Sequence, residues 1–565
     1  MELNKAQVHE AIAATVPERD CIVWRGRHHS WAETTNRTRR LANYLIGRGV
    51  VNPVGREFLD GHESGQDHLG IYLHNGNEYL ECMLGAYKAR VAPFNVNYRY
   101  VAEELCYLLT DSACRVLVYH AAFAPMLAAI RSQLPRLDIL IQVADDSGNA
   151  LLEGAVDYED ALASASPERP EVQVMGGDWS PDDLYILYTG GTTGMPKGVL
   201  WRQSDIAVSA MGLRAGSEEW ASLVEVAAAA AAASAFVVLP SAPFMHGAGQ
   251  WIAFMAWHRG GTVVIQDEVT RLDPADLLRT VQREGVQLLQ IVGDAFGRPL
   301  IEEIERAMAA GTPYDLSKLA VLLSGGAALS APLKQRFLTT LPALMIVDGI
   351  GSSESGAQMQ NVSAGAPDSA STGTFVCAPN NHVLDSELAG ELAVGHDGVG
   401  WLAKSGRLPL GYLGDAAKTA KTFPVVGGVR YSVPGDRARL LPGTDATFGA
   451  PIVELHGRDA VTINSGGEKI FAEEVEAALI AHPDVYDVVV SGRPSERWGS
   501  AVIAIVQRAP GSDVSEAVLL EEAGRHIARY KLPKAFVFVD RVTRSPSGKA
   551  DYRWAASIAA TAEAE

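Results

Sequence analysis

The residues best suited to chemistry lie in one short stretch, Thr189, Gly190, Gly191, Thr192, Thr193 and Gly194, followed by Pro196, Lys197 and Gly198. Glycine lets successive backbone N–H groups turn toward one point, threonine hydroxyls add donors, and Lys197 brings a positive charge. Such a concavity suits phosphate oxygens. The order differs from the common nucleotide P-loop, where Gly-Lys runs directly into Ser or Thr and a helix. Here Pro196 precedes the lysine, and an apolar strand-like run follows before Ser204, which is placed to cap a helix. The plainer alternative is a flexible Gly/Thr surface hairpin; the apolar flanks 184–188 and 199–201 argue against a mere linker.

Something must position that loop, and the pattern around it is regular. Helices are predicted over 31–47, 78–89 and 102–109, strands over 70–74 and 116–119, and a strand running into a loop over 91–98. After the loop come helix 274–284, strand 288–292, helix 299–309, strand 319–323, helix 331–338 and strand 344–347. Strands alternating with helices at this spacing mean mostly parallel α/β sheets, whose ligands bind where strands end. Two polar, glycine-rich stretches fall in such places: Ser324, Gly325, Gly326 and Ala327 after one strand, and Asp348 to Glu354 after the next. From about residue 373 the texture changes to short strands and turns. A compact tail follows, with helices over 472–482 and 514–529 and strands over 486–491, 501–506 and 535–539.

Composition narrows the function classes. At 565 residues the chain exceeds a single core. A net charge of -19 argues against a nucleic-acid surface. The cysteines Cys21, Cys82, Cys106, Cys114 and Cys377 show no CxxC or metal-ligand spacing, so reduced thiols in a cytoplasmic protein are expected. The first residues lack a signal-peptide pattern, and the longest apolar run, 226–239, has 14 residues. A span needs about 20, so no integral membrane segment is expected, although peripheral contact with a membrane is compatible.

Taken together the residues resemble the adenylate-forming (AMP-binding) superfamily, specifically its acyl-CoA synthetases, over nearly the whole chain. Residues 188–198 are similar to the family's phosphate loop, and Pro243 to Gly249 to its aromatic-or-histidine gate. Residues 324–327 and 349–354 resemble the adenine-side motifs, 411–423 and 434–436 the ribose-side motifs, 457–458 the hinge, 464–471 the loop beyond it, and 546–549 the C-terminal lysine motif. Residues 95–100 and 201–203 look closest to the bacterial branch that activates fatty acids and steroid side chains. The resemblance implies an α/β fold: a large N-terminal domain of parallel α/β sheets plus a small β-barrel-like part (1–456), a hinge (457–460), and a small mobile α+β C-terminal domain (461–565) carrying Lys549.

It implies chemistry too. A carboxylic acid and ATP would give acyl-AMP and pyrophosphate, and coenzyme A would then take the acyl group and release AMP. A carboxylate is already ionised at neutral pH, so the first half needs no general base; its difficulty is bringing an anion to a polyanion. Lys197 and the loop 189–194 would hold the leaving pyrophosphate. Mg²⁺ would be bound through Glu354 and Thr189, and Lys549 would reach the oxygens where charge builds. Ser324 to Ala327, Asp348, Gly349, Ile350, Gly351, Ser352 and Ser353 would surround the nucleotide base, and Asp436 and Arg458 the ribose and phosphates. His246 would gate the acyl site, whose walls would include Gly247, Gly249 and Gly325, and Ser465, Gly466 and Gly467 would line the coenzyme A channel. Plainer readings stand beside these: Lys549 as a solvated tail lysine, Asp436 as a turn cap, His246 as a satisfied core histidine, Arg458 as a surface ion pair.

Three positions depart from the family pattern: Ile350 for the usual tyrosine, Ser353 for threonine, and Ala460 for a charged pivot. No aspartate sits near 244–246 to grip an amine, which disfavours an amino acid. The expected substrate is a medium- or long-chain fatty acid or a steroid side-chain acid, and a homodimer is compatible with the resemblance. The rival functions are an acyl-AMP ligase loading a carrier protein and a catalytically inactive nucleotide-binding homologue.

Overall fold

The computed structural model describes residues 2–50, 53–171, 177–189, 195–216, 218–365, 373–444, 447–458, 461–465, 468–495, 499–545 and 548–562. Two eight-stranded sheets form the frame of the N-terminal part. The first runs, edge to edge, Gly356–Ala364, Met345–Ser352, Val321–Gly325, Leu288–Ile291, Val237–Pro240, Thr262–Ile265, Asp20–Trp24 and Arg27–Ser30. The second runs Gly411–Tyr412, Lys197–Arg202, Leu184–Thr189, Ala92–Asn95, His68–Tyr72, Val116–His120, Ile139–Val143 and Ala155–Asp157. Their middle strands pair in parallel; the outer ones pair antiparallel except Ala155–Asp157, which is parallel to its neighbour.

One core joins the two sheets. It holds Ile22, Val263, Ile71 and Val118 from the strands with Leu41, Leu45, Tyr79, Leu80 and Trp257 from three helices, so Trp31–Gly47, Asn77–Lys88 and Gly247–Trp257 form a layer between them. Further cores cover the outer face of each sheet. Burial on both faces is why the middle strands read as unbroken apolar runs.

Local signals set the helix ends. Ser30 caps Trp31–Gly47 in a reciprocal box with Glu33. Helix Pro274–Glu284 starts on Asp273 with proline in its first turn and stops on Gly285 at φ 62°. Ser204 caps nothing: helix Gln203–Ser209 begins one residue earlier, without a side-chain cap.

Several element boundaries differ from the sequence reading, and two of the differences have a plain physical reason. The helix expected from residue 299 begins at Gly293 and carries Pro299 inside it. Proline marks a helix start only when nothing upstream can extend it. Here Gly293, at φ 54°, presses against Ala327 and Ala328, and the first turn docks there. The stretch 348–352 is not a loop after a strand. Met345–Ser352 continues through it and pairs antiparallel with Gly356–Ala364, because the ladder outweighs the weak strand preference of glycine.

The expected barrel-like part is a five-stranded antiparallel sheet ordered Thr374–Val376, Ile452–Arg458, Asp436–Leu441, Gly400–Lys404 and Asn381–Leu384. The C-terminal part is a separate sheet of Glu468–Phe471, Thr462–Ser465, Gly499–Arg508, Val485–Ser495 and Ala535–Val539, with its own core against helices Ala472–Ile480 and Glu516–His526. A last helix, Tyr552–Ala559, packs on its other face. No helix among the described residues is long and apolar enough to cross a membrane.

Candidate active site

The glycine-threonine loop joins two antiparallel strands, Leu184–Thr189 and Lys197–Arg202, so that Thr189 and Lys197 are register partners at its base. Gly190 to Gly194 lie outside the described residues. A buried asparagine fixes the near strand: Asn95 accepts from the Tyr188 N–H at 2.8 Å and donates to the carbonyls of Tyr188 at 2.9 Å and Met245 at 2.7 Å. One side chain thus ties the base of the loop to the segment leading into His246.

That segment is pinned from three other directions. Asn75 donates to the Ala242 carbonyl at 3.2 Å and accepts from the Phe244 N–H at 2.6 Å. Gln290 accepts from the Ala242 N–H at 3.2 Å, and Gln250 donates to the Phe244 carbonyl at 2.6 Å. A buried amide that uses both ends fixes backbone better than an apolar contact, since the alternative leaves a polar group unpaired.

His246 stands at the N-cap of helix Gly247–Trp257 and makes no cap bond with its side chain. Its Nε2 atom is shielded from solvent and has no hydrogen-bond partner among the described residues. Burial, with Lys549 and Arg99 adding to it, pushes the imidazole down to about 3, so it is neutral in the working range. His246 is one of the residues that line the cavity described next.

The cavity has a volume of about 1080 Å³. Thr189, His246, Gly247, Gly325, Gly326, Gly349, Ile350, Gly351, Ser352, Ser353 and Lys549 all line it. Lys549 arrives from the C-terminal part. Its Cε would lie 3.8 Å from a Cβ built on Gly326, and the turn before it is closed by Ser545, which accepts from the Lys549 N–H at 3.1 Å. Gly548, at φ 75°, lies so close to the N-terminal part that a Cβ there would be 3.1 Å from the Val292 carbonyl oxygen and the Ala295 Cβ. Arg298 also stacks on Tyr486, its guanidinium carbon 4.9 Å from the ring centre.

Glu354 sits in the turn after Ser352. Its Oε1 accepts from the Tyr412 hydroxyl at 2.8 Å and its carbonyl from Ser432 at 2.7 Å. The adjoining Ser353 carbonyl accepts from the Trp201 indole at 2.8 Å. Lys404, buried, donates to Ser209 Oγ at 2.7 Å and to the carbonyls of Ser355 at 2.8 Å and Ala357 at 2.6 Å. It anchors the hairpin that carries Glu354. Lys197 faces Asp415 at 3.4 Å; burial works to lower its ammonium, but Tyr107 and Asp415 outweigh that and hold it above its ordinary value.

Other expected residues serve the frame. The Ser324 hydroxyl is taken by the Gly293 N–H at 3.1 Å. Asp348 is ion-paired with the fully buried Lys334. Ala327 packs in the outer core beside Gly293. Gly249 faces Ala242 and Phe244, where a Cβ would lie 2.7 Å from the Ala242 carbonyl oxygen, so the helix packs closely there and the cavity wall is made by Ala248, Trp251, Ile252 and Met255. Which way each of these side chains turns is set by neighbours distant in sequence.

Asp436 and Arg458 are register partners on adjacent strands, so the structure brings their backbones together, and Gly457 at φ 107° presses on Glu473 of the C-terminal part. Ser465 is buried at a strand end; Gly466, Gly467 and the hinge residues 459–460 lie outside the described residues. Sequence reasoning gave no role to Asn75, Gln250, Gln290 or Lys404. Their signal is a lone amide or amine in an apolar run, as in Trp401-Leu402-Ala403-Lys404.

Two family models match: AMP-binding enzyme over residues 9–413, and AMP-binding enzyme C-terminal domain over residues 474–549. A medium-chain acyl-CoA ligase, Mig, of Mycobacterium avium is 52% identical over 550 residues, covering 97% of this chain and 96% of that protein. A 3-oxocholest-4-en-26-oate–CoA ligase of Rhodococcus rhodochrous is 38% identical over 565 residues, covering 98% and 96%. In fold the chain matches ATP-bound MatB from Rhodopseudomonas palustris, with a TM-score of 0.78 at 22% identity and 99% of each chain covered. The chain belongs to the AMP-binding enzyme family.

Proposed function

We propose that the protein is an ATP-dependent acyl-CoA synthetase acting on a medium- or long-chain fatty acid or a steroid side-chain acid. The observation that carries this reading is a single cavity of about 1080 Å³ lined by His246, Thr189 and the Gly325–Gly349 backbone of one part and by Lys549 of the other. The names of the two relatives above support the substrate class, as does the run of Met245, Trp251, Ile252 and Met255 along the wall.

In the first half-reaction a carboxylate oxygen attacks the α-phosphorus of ATP, and the bond to the bridging oxygen breaks to release pyrophosphate. Two anions must meet, so the protein's part is to hold them and to spread charge. Lys549 supplies the positive charge at the carboxylate and α-phosphate, and Lys197 at the leaving pyrophosphate. Neutral His246 donates no net charge, which leaves it free to turn aside as the carboxylate enters. In the second half the thiol of coenzyme A attacks the acyl carbon, its proton is lost, and AMP leaves.

Mg²⁺ fits the donor set: Glu354 keeps Oε2 for it, Thr189 adds a hydroxyl, and no cluster of three or more His, Cys, Asp or Glu competes among the described residues. Magnesium is commonly held by one or two carboxylates and substrate phosphates, and when bound it supplies charge neutralisation on them. Asp436 and Arg458 take the ribose side, and Ile350, packed against the five-stranded sheet, gives the base an apolar surface.

Lys549 and an approaching thiol need the same space, so the part from 461 to 565 must swing about residues 457–460 between the halves. Ser465, Gly466 and Gly467 then face coenzyme A. A panel of carboxylic acids, short to long chain plus steroid side-chain acids, scored by CoA-dependent AMP formation, tests the reading. Adenylate that forms but passes only to a carrier protein would favour the carrier-loading alternative.

A further inference from the structure

The turn that delivers Lys549 is closed on itself, and one more side chain holds it to the sheet beneath. The Ser545 N–H donates to the Lys549 carbonyl at 2.7 Å and the Gly548 N–H to the Ser545 carbonyl at 2.8 Å. Arg544 and Ala550 pair as an antiparallel bridge at the mouth of the turn. From that bridge the Arg544 guanidinium reaches Asp487 of strand Val485–Ser495, with Nε donating to one carboxylate oxygen at 2.8 Å and Nη2 to the other at 2.6 Å. The remaining Nη1 donates to the Gly548 carbonyl at 3.3 Å, one residue before the lysine.

This is more than a surface ion pair. Only 21% of the Arg544 side chain and 17% of the Asp487 side chain are exposed, so water weakens the pair less than it would on an open surface. The carbonyl it holds belongs to the residue seated on the N-terminal part, where a Cβ on Gly548 would be 3.1 Å from that of Ala295. Asp487 in turn follows Tyr486, the ring on which Arg298 of the N-terminal part stacks. With a carboxylate and a carbonyl already on its fork, Arg544 is occupied in holding backbone and does not serve as a phosphate contact.

We propose that Arg544 is a positioning residue for Lys549: its fork on Asp487 and the Gly548 carbonyl sets the turn in advance, so that the ammonium meets the carboxylate and α-phosphate without a search. Asp487, Arg544 and Gly548 all belong to the C-terminal part, so the fork travels with it. Arginine is the side chain for this work, because its planar fork grips a carboxylate at two points and keeps a donor for the carbonyl, whereas lysine offers a point charge. The proposal rests on the acyl-CoA synthetase reading and on the role that reading gives Lys549.

The test measures pyrophosphate release from ATP and acid, and separately thioester formation from preformed acyl-adenylate, using the fastest acid of the panel above. Arg544→Met should lower kcat for pyrophosphate release by about 10–10², with KM for ATP within about threefold, since a reacting group about 1 Å out of place costs up to about that much. Thioester formation should stay within about twofold, because that half does not use Lys549. Arg544→Lys should remain close to Arg544→Met, having the charge without the fork. Added to Lys549→Ala, Arg544→Met should cost no more than about a further twofold, as no lysine is left to misplace. Removing one member of a shielded pair strands the other charge, so Arg544→Met is also made with Asp487→Asn, which strands none and should show the same split. Equal loss in both half-reactions of that double variant, full recovery with Arg544→Lys, or an undiminished loss on top of Lys549→Ala overturns the proposal and leaves the enzyme reading intact. Undiminished pyrophosphate release in Lys549→Ala removes the lysine's role and this inference with it, and absence of AMP from the wild type with every acid overturns the enzyme reading itself.

Discussion

His246 shows how much one side chain can carry. It is neutral because burial disfavours the imidazolium, and its shielded Nε2 has no hydrogen-bond partner among the described residues. The unfolded chain takes up a proton at this position as pH falls through 6.5, whereas the folded chain does so only near 3. The residue therefore costs nothing above 6.5 and withdraws stability between those values, by about 1.4 kcal/mol per pH unit at most. Urea unfolding across that window should show His246→Phe gaining on the wild type as pH falls; a constant difference would refute the assignment. Lys549→Ala should lower adenylate formation by about 10²–10³. Thioester formation from preformed acyl-adenylate should stay largely intact, and equal loss in both half-reactions would count against the role. The loop glycines and Lys197 stood out by type and spacing, whereas Lys549 was reached through the family resemblance. Ser324 and Asp348 could not, since their partners Gly293 and Lys334 lie far from them in sequence or on another element.

At the scale of elements, the hairpin carrying the phosphate loop and the segment before helix Gly247–Trp257 are held at a fixed spacing by Asn95. Asn95→Ala would strip three bonds from buried backbone and should destabilise the protein by about 1–3 kcal/mol, read by urea unfolding. It should also raise KM for the acid, because the gate loses its tie to the loop. A wild-type KM in a destabilised variant would reduce Asn95 to a packing role. Most elements were legible as apolar periods. The start of Gly293–Ala309 was not, because its first turn is stabilised by contact with Ala327 and Ala328 instead of by a capping signal.

Across the whole molecule, the contact of Gly548 with Ala295 defines one lobe arrangement. A Cβ at position 548 would lie 3.1 Å from that of Ala295, close to the about 3.8 Å typical of a disulfide. The double variant Ala295→Cys, Gly548→Cys, once oxidised, should retain adenylate formation and lose thioester formation, with reduction restoring the second step. Unimpaired CoA transfer in the oxidised protein would rule out the swing. This prediction belongs to the assembly of lobes, since neither residue touches a reactant.

By itself the sequence determined the parallel α/β frame, because apolar period is a property of local composition; the phosphate loop, the gate histidine and the C-terminal lysine entered as expectations from the family resemblance. Only the tertiary structure decided which polar side chains are spent on the frame and how Lys549 meets the cavity. Those outcomes depend on contacts between residues hundreds of positions apart, and no local pattern encodes the direction in which a side chain will find its partner.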